Sequence, residues 1–112
     1  MVRESITAQL LRSRRDLLAG GNLLNALRRE FPNLSDNMYV LESITDQYED
    51  IVTVLIDGVT VATVEIPRHP SLKQEATVEA CSVHDYARRA RGFSHRTVKE
   101  ARELASTLHD DD

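Results

Sequence analysis

Ile51-Val-Thr-Val-Leu-Ile-Asp57-Gly58-Val-Thr-Val-Ala-Thr-Val-Glu-Ile66 holds two β-branched runs joined by Asp57-Gly58, a pair suited to a two-residue type I′ turn. This is a β-hairpin, and a two-residue turn sets its register: Ile56 opposite Val59, Val54 opposite Val61, Val52 opposite Thr63. Ile51, Leu55, Val64 and Ile66 then share the other side, interleaved with Thr53, Thr60 and Ala62. Both faces are apolar on this reading. Each large aliphatic side chain left in water would forgo about 1.5–3 kcal/mol, so each face needs a cover. Helices from one short chain can cover one face of such a sheet. The expectation is that the second face, or an exposed edge, is left to another chain.

Before the hairpin, Ile6, Leu10 and Leu17, with Leu11 and Leu18 beside them, form the apolar side of a helix over residues 4–18. Gly20-Gly21 stops it. Asn22 is placed to cap a second helix, in which Leu23, Leu24, Leu27 and Phe31 recur until Pro32, so that the pair reads as a helical hairpin or one kinked helix. Turn residues 32–37 lead to a first strand from Met38 to Ile44, joined through residues 46–50 to the hairpin. Arg68-His-Pro70 ends the meander. Residues 71–81 fit either period, Ala76, Val78 and Ala80 alternating as in a strand while Leu72, Ala76 and Ala80 repeat as in a helix. A fourth strand over 75–81 is preferred because Ser82-Val-His-Asp85 has the form of a capping box and starts a new helix. Its inward stripe is Val83, Tyr86, Ala87 and Ala90. Gly92 is its stop and Ser94 the next N-cap, followed by a last helix with Val98, Ala101, Leu104 and Leu108 inward. The expected fold is thus α+β in one domain: residues 1–31 helical, 38–81 a meander of three to four antiparallel strands, 83–108 helical, and 109–112 a frayed tail.

At 112 residues and 41% hydrophobic, the chain has the size of one domain with one core. A single cysteine, Cys81, excludes an intramolecular disulfide and a four-cysteine zinc site within one chain. The first residues lack the apolar core of a secretory signal, and no segment approaches the 18 or so apolar residues that span a bilayer. A cytoplasmic, membrane-free protein is expected. Twelve arginines against two lysines fit a GC-rich bacterial genome. The net charge of −4 is segregated: residues 30–67 carry eight acids, Glu30 to Glu65, and no lysine or arginine, while the basic residues flank them.

Residues 82–102 resemble the helix-turn-helix motif of DNA-binding regulators, with alanine in the first helix, a glycine turn followed by an apolar residue and serine, and an Arg-Thr-Val opening to the second. The chain departs from the motif in the Ala87–Gly92 spacing and in Arg91 before the glycine. The resemblance implies that Ser94, His95, Arg96 and Lys99 enter the major groove and that Arg88, Arg89 and Arg102 contact phosphates. The i, i+4 pairs Arg96–Glu100 and Lys99–Glu103 suit a solvated helix equally well. His84-Asp85 resembles the metal-binding dipeptide of HD-type phosphohydrolases but lacks further ligands nearby in sequence. Cys81 and His84 do not make a nucleophile pair by spacing. Glu42, Asp46, Glu49 and Asp50 lack the EF-hand pattern.

No catalytic residue, metal or cofactor is therefore assigned. The expected function is a non-enzymatic protein-binding module of the adaptor, chaperone, immunity or antitoxin type, homodimeric through the sheet with Ile51, Leu55, Val64 and Ile66 toward the partner. The rival is a nucleic-acid binder using residues 82–102.

Overall fold

A computed structural model of the chain describes residues 5–68 and 75–110. Among them are helices α1 (Ile6–Leu18) and α2 (Asn22–Glu30), strands β1 (Met38–Thr45), β2 (Glu49–Ile56), β3 (Thr60–Pro67) and β4 (Thr77–Ser82), then helices α3 (Val83–Arg89) and α4 (Phe93–Asp110). The fold is α+β, and the strands form one antiparallel meander in the order β1-β2-β3-β4. The turn placed at His69-Pro70 lies outside the described residues.

The Asp57-Gly58 turn forms as its residues require. Both have positive φ, +53° and +74°, and the Val59 N–H donates to Ile56 O at 3.1 Å. Ser35 Oγ donates to Asp57 Oδ1 (2.6 Å), and the Asp57 amide donates to Asn37 O (2.8 Å), which holds the turn against the lead-in to β1. A side chain at Gly58 would bring its Cβ to 3.3 Å from Ala105 Cβ of α4, besides adopting a left-handed backbone.

The register differs from the expected one by a residue. Val59 is left out of the β2–β3 ladder because its carbonyl accepts from the Val83 amide at the start of α3 (2.9 Å), so pairing begins at Ile56–Thr60. Val59 stands 62% exposed as the extra residue. Every residue of β3 therefore changes face relative to β2: Leu55 pairs with Val61, Val54 with Ala62 and Val52 with Val64. The set Ile51, Leu55, Val64 and Ile66 is split between the two sides of the sheet.

Each side has its own helical cover. Val52, Val54, Ile56, Ala62, Val64 and Met38 pack with Leu17, Leu24 and Leu27 of α1 and α2, and Ile66 and Val78 border that cluster. On the other side Leu55, Val61, Tyr39 and Leu41 pack with Leu10 of α1, Val83 of α3 and Val98, Ala101 and Ala105 of α4. The expectation that one face awaits a partner is corrected by this three-layer arrangement, in which Leu55 and Val64 are both fully buried, each in a different core.

Helix signals held in part. Ser82 Oγ accepts from the Asp85 amide (3.1 Å) and caps α3, as the S-x-x-D pattern requires. The second helix is capped by Gly21 (φ +123°), with Asn22 already inside it, and α4 begins at Phe93, so Ser94 lies in its first turn. β4 runs to residue 82 and α4 to residue 110, both beyond the expected ends. A bulge between Val40 and Glu42 in β1 had no signature in the sequence.

In the β1–β2 turn, Asp46 Oδ1 accepts from the amides of Tyr48 (2.7 Å) and Glu49 (2.8 Å), and these bonds hold its carboxyl below the ordinary value. A depressed carboxylate stabilises the fold above its unfolded-state pKa and loses that contribution as pH falls through the folded one. Asp46→Asn should therefore be less stable than the parent at pH 7 and close to it in strong acid, as paired urea titrations would show.

Candidate functional site: the open β4 edge

A four-stranded sheet has two edges. At β1 the edge is blunted by the bulge and by α1, which straddles it with Leu10 in one core and Leu17 in the other. Arg14 Nε also donates to Asp36 O at 3.0 Å, just before β1. At β4, no strand lies beyond among the described residues.

The backbone of β4 can be assigned side by side. The Val83 amide bonds to Val59 O, which continues the β3–β4 register by one pair. Successive residues of a strand aim their backbone groups at opposite edges, so Glu79 and Cys81 address β3, whereas Val78, Ala80 and Ser82 address the open side. Ala76, of the same parity, gives its carbonyl to Arg29 Nη2 of α2 (3.0 Å). Val78 and Ala80 thus turn both N–H and C=O outward, while the carbonyl of Ser82 belongs to the first turn of α3. The side chains of Thr77, Glu79, Ala80 and Ser82 are exposed, and those of Val78 and Cys81 half-buried. Proline and lysine, the usual devices for closing an edge, are both missing from this strand.

Arg89 and a cleft flank the edge. On the α3 side Arg89 Nη2 lies 3.6 Å from Cys81 Sγ, and its Nε donates to Asp85 O. Arg89 also borders a cleft of about 490 Å³ with Glu42, Thr63, Tyr86, Arg91 and Ser94. The Tyr86 hydroxyl there is pushed above its ordinary pKa by burial, then by Glu42 and Cys81. Away from β4, at the β2–β3 turn, a hollow of about 300 Å³ is bounded by Phe31, Leu34, Ile56, Asp57, Val59 and Thr60.

Of the residues expected to meet a partner, Leu55 and Val64 are sealed in the cores, and Ile51 and Ile66 are half-buried. Of the nucleic-acid set, His95, Arg96, Lys99 and Arg102 are exposed on α4, Ser94 is half-buried in the cleft, and Arg88 and Arg89 lie exposed on α3. Arg88 is paired with Asp85, whose carboxyl that guanidinium holds below the ordinary value. Glu100 accepts from Thr7 Oγ1 of α1 (3.3 Å). The stripe Val83, Tyr86 and Ala87 of α3 packs into the sheet's core. Asp85 thus gives its amide to the Ser82 cap and its carboxylate to an arginine, while His84 and His95 stand exposed. Among the described residues no group of three or more His, Cys, Asp and Glu side chains is placed to hold a metal ion, and no helix is long and apolar enough to cross a membrane.

Glu79 and Ala80 went unremarked as site residues in the sequence, although one signal was available: the last strand of a meander is an edge by construction. Compared with models of known families, with curated proteins and with solved structures, the chain matches none.

Proposed function

We propose that this chain is a non-enzymatic, cytoplasmic protein-binding module that accepts a further strand on β4, its first partner being a second copy of itself. What supports this reading is the pair Val78 and Ala80, whose N–H and C=O groups face away from β3 on a strand with mostly exposed side chains. An edge of this kind gains main-chain hydrogen bonds from any added strand, and an identical strand supplies them symmetrically. Its free cysteine, Cys81, suits a reducing compartment. Favouring protein over nucleic acid is the destination of α3, whose apolar stripe packs into one core with the sheet and α4 and not into a separate two-helix reading unit.

Pairing through one six-residue strand belongs with small, transient interfaces. Light scattering should therefore extend to about 1 mM chain, where an association of about 4 kcal/mol is half complete. Ala80→Pro removes an outward amide and leaves the β3–β4 ladder intact. The parent's average mass is expected to rise toward that of a dimer with concentration and the variant to stay at single-chain mass, both with the same circular dichroism at dilution. A parent that stays monomeric throughout, or a variant that dimerises equally, would sink the reading.

A further inference from the structure

Resting on that reading, we infer that the second copy pairs antiparallel with Ala80 on the two-fold axis, so that Glu79 of each chain lies opposite the partner's Cys81 and reaches the partner's Arg89. The first step is symmetry. A two-fold axis through an antiparallel strand pair must pass between a residue and its own copy, because directly opposed residues point to the same face and neighbours in a strand do not. Registers with Glu79 or Ala80 on the axis keep all but one of the six β4 residues in the ladder, and other choices halve it.

Charge separates these two. With Glu79 on the axis, two carboxylates would face each other directly, a destabilising cross-strand pair. With Ala80 on the axis, a small neutral side chain meets its copy, and the Ala80 amides and carbonyls, already turned outward, bond reciprocally. Val78 then opposes the partner's Ser82. Glu79 opposes the partner's Cys81, with Cβ atoms about 4.5–5.5 Å apart on the α3 side of the sheet. That is the side on which Arg89 reaches to 3.6 Å from Cys81. The one charge on the edge strand is thereby met by a guanidinium at each end of the interface, and Glu79, which would deter other pairings, selects this one.

Disulfide trapping and charge reversal test the register. In a Cys81→Ser background, Ala80→Cys should cross-link to its copy under mild oxidation well ahead of Glu79→Cys. Glu79→Arg and Arg89→Glu should each weaken the dimer about tenfold in Kd, and the double variant should recover most of the loss. Positions 79, 80 and 89 are exposed, so circular dichroism at dilution serves as the folding control. Faster trapping at position 79, or no recovery in the double variant, overturns the register while the Ala80→Pro result still reports on edge pairing. A parent that is monomeric at every concentration overturns both.

Discussion

Leu55→Asp is expected to abolish folding: in urea titration or a thermal scan the variant should show no cooperative transition at 25 °C. Leu55 is fully buried between β2 and the α3–α4 layer, packed with Val61, Tyr39 and the small side chains of α4. The substitution withdraws a large aliphatic group worth about 1.5–3 kcal/mol of burial and places a carboxyl group in an apolar core. A total cost above about 4 kcal/mol matches nearly the whole stability of a domain at the lower end of the usual range of about 5–15 kcal/mol. The outcome separates two pictures of the sheet. A partner-facing Leu55 would yield a folded monomer, while a Leu55 sealed by its own helices yields an unfolded chain. A soluble, cooperatively folded Leu55→Asp monomer would contradict the three-layer packing.

The opposite core offers the second large effect. Leu27 of α2 is fully buried among Leu24, Val54 and Val64, and truncation to alanine should cost about 2–5 kcal/mol, the range for leucines whose surroundings collapse only partly. For a chain of this length that lowers Tm by about 10 °C or more. Leu11→Ala is the matched control. Leu11 is 47% exposed on α1, and its loss should lie within about 0.5 kcal/mol, although the two leucines look equally apolar in the sequence. Equal effects at both positions would mean that α1 and α2 do not seat as described.

The helices were legible where apolar residues recur at helical spacing and a polar cap precedes them, as at Ser82. They were less legible where a glycine did the capping, since Gly21 acts through its backbone and Asn22 beside it has the more conspicuous side chain. The proposed pairing edge was only half legible. Strand order in a meander makes β4 an edge, but the outward amide of Ala80 follows from a single hydrogen bond between Val83 and Val59, and the nearness of Arg89 to Cys81 from the seating of α3.

Local chemistry settles what needs only neighbours in the chain: the left-handed Asp57-Gly58 turn, the alternating runs beside it, and the amphipathic periods of α1, α2 and α4. Tertiary structure alone settles which face each strand presents. Val59 could have entered the ladder. The Val83 amide, 24 positions later, takes its carbonyl and moves β3 by one residue, and because side chains alternate, that single bond exchanges the two faces of the strand. A partner-facing surface drawn from the hairpin alone therefore became two buried cores, and the β4 edge, not a face of the sheet, is where we propose that a second chain pairs.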